Sequence, residues 1–237
     1  MDEYAPAVPA EPRARKSAAP EALLCLASVR DLPDPAADAA LLSLLPPERR
    51  EKLSRLKRPD ARRLSFGAWL LLCRALEERG AAPGPIAYGP HGKPFFPARP
   101  ELQFNLSHSG EMVLCALSTA PVGCDVETLG PARPELAARF FHPMEREYLD
   151  SLPEAEAAEA FTRLWTLKES YLKLTKRGLS RPLNSFAVDL RTDPPRLLET
   201  ADAVGLRLLS FVEGDCACAL CCAAEAEPVL RRVDLRI

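Results

Sequence analysis

The chain has 237 residues, with 31 Lys and Arg against 33 Asp and Glu and a formal net charge of −2. That balance excludes a generally basic protein that coats nucleic acid and an acidic disordered tail, so any anion must be met by a local cluster of cations. Hydrophobic residues make up 47%, enough for a sizeable core in one large domain or two small ones, and 24 Pro against 11 Gly point to stiffened loops.

The longest stretch free of charged side chains, Met112 to Cys124, has 13 residues, short of the roughly 18 a spanning helix needs. The opening MDEYAPAV is acidic and lacks a secretory pattern. Eight Cys, at 25, 73, 115, 124, 216, 218, 221 and 222, lie mostly in apolar segments, which suits reduced thiols in the cytoplasm.

Residues 1–20, with four Pro among Ala and charges, read as a flexible leader. From Ala22, ALLCLASV reads as a buried strand. Pro46-Pro47 starts a helix that stops before Pro59, and Asp60 is expected to cap a second one. That second helix carries Leu64, Trp69, Leu72 and Leu76 at helical spacing and ends at Gly80. Residues 83–100, with six Pro and three Gly, predict irregular chain of fixed shape. Alternating Leu102, Phe104 and Leu106, then MVLCALS and VGCDVE, read as strands, with Ser107 to Glu111 as a loop. ELAARFF and PMEREYL are helical, and a long helix from about Glu154 to Lys176 ends at Gly178. Strands near 186–190, 206–212, 216–224 and 230–236 follow, and no residue-level repeat is visible.

Several constellations could carry chemistry. In GCDVE, Asp125 and Glu127 are i and i+2 on a strand and share one face about 6.6 Å apart, with Val122, Cys124 and Val126 turned to the core. Two such carboxylates repel unless a cation sits between them, and hard oxygen ligands suit Mg²⁺; alone, the pair also reads as a solvated strand end. On the long helix, Glu169 and Lys173 are an i,i+4 pair with Trp165 one turn earlier, which alone reads equally as an exposed ion pair beside a core aromatic. Asn105-Leu106-Ser107-His108-Ser109 offers short donors suited to an anion. A Ser-His hydrolase is disfavoured because adjacent residues seldom face each other and no GxSxG elbow exists. His91-Gly92-Lys93-Pro94 holds a lysine on stiff backbone, and Arg55, Lys57, Arg58, Arg62 and Arg63 form a basic run. Cys216, Cys218, Cys221 and Cys222 read as a buried strand in preference to a zinc site.

Taken together and in order, HGKP, NLSHS, VGCDVE, RFFHPMEREYL and FTRLWTLKESYLKLTKRGL resemble the Sfp-type 4′-phosphopantetheinyl transferases over about Arg55 to Leu220. The resemblance implies an α+β pseudo-twofold arrangement of two similar halves, 21–121 and 122–237, with coenzyme A in the cleft between them. It implies transfer of 4′-phosphopantetheine to a serine hydroxyl of an apo acyl or peptidyl carrier protein, with 3′,5′-ADP leaving. Asp125, Glu127 and Glu169 then resemble the family's acidic set around Mg²⁺. Lys173 resembles the lysine near the pyrophosphate, Lys93 one that approaches the nucleotide, and Ser107 and His108 the pair at the 3′-phosphate. Arg58, Arg63 and Arg74 are the candidate cations at the adenine end, and Glu169 is the candidate general base. The partners implied are coenzyme A and an acidic helical carrier, with no nucleic acid and no membrane, for a monomeric cytoplasmic enzyme. A non-catalytic coenzyme A or carrier-binding module is the alternative, and the presence of all four of Asp125, Glu127, Glu169 and Lys173 favours catalysis over it.

Overall fold

A computed structural model of the chain describes residues 20–176 and 181–236. The expected leader and the expected helix stop at Gly178 lie outside the described residues, apart from Pro20.

Strand β1 (Glu21–Ser28) opens the fold. The short α1 (Ala39–Ser43) and α2 (Pro47–Ser54) follow, and then the 20-residue α3 (Pro59–Glu78). Pro59 occupies the first helical position of α3, where its missing N–H costs nothing. The cap residue is therefore Arg58, without a side-chain cap, and Asp60 sits in the first turn near the positive end of the dipole, where we expected it as the cap. The proline-rich stretch holds only the two-residue strands β2 (Ala87–Tyr88) and β3 (Pro94–Phe95).

Next come β4 (Gln103–Ser109), β5 (Met112–Ser118) and β6 (Val122–Thr128). The loop expected at Ser107 to Glu111 is therefore a tight turn, with Gly110 at φ +58°. Ser107, His108 and Ser109 lie on the strand, so alternation sends Ser107 and His108 to opposite faces. Helices α4 (Pro134–Phe140), α5 (Pro143–Asp150) and the 22-residue α6 (Glu154–Thr175) follow. The chain ends with β7 (Ala187–Asp189), β8 (Arg196–Leu198), β9 (Leu206–Glu213), β10 (Cys216–Ala223) and β11 (Glu227–Arg232).

Two sheets form the centre, one of order β11-β1-β5-β4 and one of order β6-β10-β9. The outer face of the first packs on α3 through Leu23, Cys25, Val113 and Phe66, and that of the second on α6 through Ala219, Cys221 and Leu167. Between the sheets lie Leu24, Leu26, Leu114, Cys124, Val126, Cys218 and Leu220. The result is four layers, helix, sheet, sheet, helix, with one sheet and one long helix on each side. Strands β1 and β10 are apolar at nearly every position because both of their faces are covered. Cysteines fill the middle layer as small apolar side chains. Cys221 Sγ lies on the α6 side and the other three on the inter-sheet side, which disposes of a four-cysteine zinc site. All eight cysteines are free.

β11 pairs in parallel with β1, so the last strand of the chain belongs to the first sheet. Among the described residues no helix is long and apolar enough to cross a membrane.

Candidate active site

The site lies where β4, the edge of the first sheet, meets β6, the edge of the second, under α6. Gly123 makes this approach possible. A Cβ there would stand 2.0 Å from the Ser170 carbonyl oxygen and 2.6 Å from the Leu174 nitrogen, so only hydrogen fits between β6 and α6. The glycine of GCDVE is thus a packing requirement that brings the strand carboxylates beside Glu169 and Lys173.

Asp125 is 3% exposed. Its Oδ1 accepts hydrogen bonds from Lys173 Nζ at 2.6 Å and Ser107 Oγ at 2.7 Å, while its Oδ2 is buried with no partner. Lys173 also donates to Ser107 Oγ at 3.1 Å. Burial alone would lower the lysine's pKa, but the Asp125 carboxylate outweighs it and holds the ammonium above its ordinary value. Glu127 accepts from Ser109 Oγ at 2.8 Å. Burial first, and then the Asp125 charge, raise the pKa of Glu127 and of Glu169.

A recess of about 420 Å³ is lined by Asp125, Glu127, Glu169, Lys173, Ser107 and Trp165. The indole stacks on Phe161 at 6.4 Å and meets Phe140 edge-on at 5.9 Å, so Trp165 is both core and wall. Glu169, Lys173, Leu106 and His108 are shared with a second cavity of about 410 Å³, whose wall brings Arg49 and Lys52 of α2 together with Lys93 and Lys176. Arg49 is 5% exposed; it donates to the Ser65 carbonyl at 3.0 Å, and its Nε is buried without a partner. Burial, followed by Lys173, Lys52 and Arg49, pushes the His108 pKa down. An acidic recess thus opens into a cation-lined one, which is the charge pattern a polyanion bridged to a metal requires.

Asp125, Glu127, Glu169, Lys173, Ser107 and His108 all line the acidic recess. Lys93 lines the second cavity, yet its ammonium is held by the carbonyls of Val122 (2.7 Å) and Lys173 (2.6 Å), and burial first, helped by Lys176, lowers its pKa to about 8. The arginines are elsewhere. Arg58 and Arg63 line a separate recess beside Gly110 and Glu111, both facing Asp60, and Arg74 pairs with Glu77 at 3.0 Å. Arg62 clamps Asp34 and the Leu56 and Lys57 carbonyls. The cations that do face the cleft, Arg49 and Lys52, were legible only as an i,i+3 pair in PERREK, in a helix read for its start and stop. Lys168 points away from the site and is fully buried on Glu145 at 2.6 and 2.8 Å.

Residues 121–221 match the model of the 4′-phosphopantetheinyl transferase superfamily. The 4′-phosphopantetheinyl transferase Sfp of Bacillus subtilis is 36% identical over 165 residues, 68% of this chain and 74% of that protein. The chain belongs to this superfamily. The 4′-phosphopantetheinyl transferase HetI of Nostoc sp. is 41% identical over 135 residues, 54% of this chain and 56% of that one. Among solved structures, a holo-(acyl-carrier-protein) synthase from Bacillus anthracis in complex with CoA (3′,5′-ADP) aligns with a TM-score of 0.39 and 19% identity, covering 44% of this chain and 95% of that one.

Proposed function

We propose that the protein transfers the 4′-phosphopantetheine group of coenzyme A to a serine hydroxyl of an apo acyl or peptidyl carrier protein, releasing 3′,5′-ADP. The observation that carries this reading is the junction of an acidic recess, built from Asp125, Glu127, Glu169 and Lys173, with a cavity walled by Arg49, Lys52 and His108.

The acidic recess fits Mg²⁺. Among the described residues no three His, Cys, Asp or Glu side chains form a ready-made metal cage. That accords with an ion that keeps several waters and completes its coordination with substrate phosphates. The buried, unpartnered Oδ2 of Asp125 is an open oxygen ligand, and Asp125, Glu127 and Glu169 would hold the ion. When bound, Mg²⁺ supplies charge neutralisation and polarisation at the phosphoryl oxygens.

The chain's own residues do the rest. Lys173 stays protonated and offers positive charge beside Asp125, where negative charge grows on the leaving phosphate. Glu169, whose pKa is raised by burial and by Asp125, accepts the proton of the incoming serine as general base. Arg49, Lys52 and His108 meet the 3′-phosphate and the nucleotide end, the task first given to Arg58, Arg63 and Arg74. Burial first, and then the neighbouring cations, depress the His108 pKa, and an arriving phosphate offsets the cationic part. One chain supplies both walls of the cleft, so the enzyme works as a monomer, and its eight free thiols support a cytoplasmic setting.

The test is mass spectrometry of several apo carriers incubated with the protein, coenzyme A and Mg²⁺. A gain of one phosphopantetheine is expected with the wild type and none with Asp125→Ala, whose circular dichroism should be unchanged. Tight uptake of coenzyme A with no transfer to any carrier would instead make the chain a binding module.

A further inference from the structure

The edge strands β4 and β6 belong to different sheets, and alternate side chains of β4 join them. Asn105 Oδ1 accepts from the Cys124 N–H at 2.8 Å. Ser107 Oγ donates to Asp125 Oδ1 at 2.7 Å, and Ser109 Oγ donates to Glu127 Oε2 at 2.8 Å while accepting from the Thr128 N–H at 3.2 Å. These three positions share one face of the strand, whereas His108, on the other face, lines both the acidic recess and the cavity that holds Arg49 and Lys52, which Ser107 does not reach. Strand alternation therefore divides the Ser-His pair between two tasks.

On Asp125 the consequence is directional. Ser107 and Lys173 both hold Oδ1, and the buried Oδ2 is left open. A carboxylate fixed through one oxygen presents the other along a set direction, as outer hydrogen bonds do for metal ligands generally. Ser107 is 8% exposed and lines the acidic recess but not the cation-lined cavity.

We infer that Ser107, with Ser109 as a second rung, is a positioning residue that orients Asp125 and Glu127 within the acidic recess, and that it is not a ligand of the 3′-phosphate. The inference rests on the function proposed above.

Two measurements separate it from phosphate binding. Purified Ser107→Ala is compared with wild type using coenzyme A and 3′-dephospho-coenzyme A as donors, and Mn²⁺ binding in the presence of coenzyme A is followed by electron paramagnetic resonance. Loss of a hydrogen bond to a charged group should lower kcat about tenfold to a hundredfold with both donors. The ratio of kcat/KM between the donors should stay at the wild-type value, and Mn²⁺ affinity should fall about tenfold. His108→Ala should erode that ratio instead. Ser107→Thr keeps the hydroxyl and should restore Mn²⁺ binding. Should Ser107→Ala fail to fold, Ser109→Ala carries the same expectation, since Ser109 is less buried. A collapsed donor ratio with unchanged Mn²⁺ affinity, or no change in either, overturns the inference. Absence of transfer by the wild type overturns the function itself, and the Mn²⁺ comparison still reads the role of Ser107.

Discussion

Gly123→Ala tests whether the close approach of β6 and α6 builds the site. The added Cβ would lie 2.0 Å from the Ser170 oxygen and 2.6 Å from the Leu174 nitrogen, where ordinary contact begins at 3.4 Å. Both obstacles are backbone atoms, so no side-chain rotation relieves them, and strand and helix must part by more than an ångström. The obstructing residues directly follow Glu169 and Lys173 in sequence, so the movement is delivered to the two helix groups that face Asp125 and Glu127. Overpacking of a well-filled contact costs about 3 kcal/mol when nothing can yield. A displacement of about 1 Å at reacting groups costs about a hundredfold in rate. Urea unfolding and the transfer rate to one apo carrier measure the two effects. Gly130→Ala is the control, because nothing stands within 4 Å of a Cβ there. A Gly123→Ala protein with the wild-type unfolding midpoint and wild-type kcat/KM would refute the argument that this glycine sets the geometry of the site.

Two further expectations concern stability. Lys168→Met leaves the buried Glu145 carboxylate with only the His142 and Val188 N–H groups as donors, and should cost about 3–5 kcal/mol in denaturant unfolding; a loss below about 1 kcal/mol contradicts that account. Alkaline pH should destabilise the fold through its thiols. Burial raises the pKa of Cys25, Cys124 and Cys218 from 9.0 to about 12 and that of Cys216 and Cys222 to about 11, with Cys115 and Cys221 also raised. A group whose folded pKa is raised stabilises below its unfolded pKa and loses that stabilisation as pH climbs to the folded one, here from pH 9 upward, at about 1.4 kcal/mol per pH unit for each buried thiol. Lys93 and Lys168, both lowered to about 8 chiefly by burial, and Lys52, also lowered by burial, act with the opposite sign below about 10.5, but these three lysines are outnumbered by eight thiols, Cys73 being raised to about 11 as well. The urea midpoint should fall steadily between pH 9 and 11, and a flat or rising midpoint sinks the expectation.

Much of the site could be read from the chain because short-range geometry settles it. Strand alternation in VGCDVE puts Asp125 and Glu127 on one face whatever surrounds them, and helical spacing puts Glu169 and Lys173 together on α6. The doubly apolar runs ALLCLA and CACALCC announced strands covered on both faces, and so did their cysteines as packing residues. Contacts between distant segments could not be read this way. Whether Arg49 and Lys52, or Arg58 and Arg63, face the cleft depends on how α2 and α3 turn against the first sheet, and both pairs look alike as basic residues on helices. That Lys93 is tied to two carbonyls, and that β11 returns to pair with β1, are equally products of packing. The sequence alone determined the chemical groups, their local faces and, through its ordered motifs, the family. Tertiary structure alone decided which cations meet the carboxylates, because a polar side chain's partner is set by the long-range burial of its neighbours and not by its own spacing.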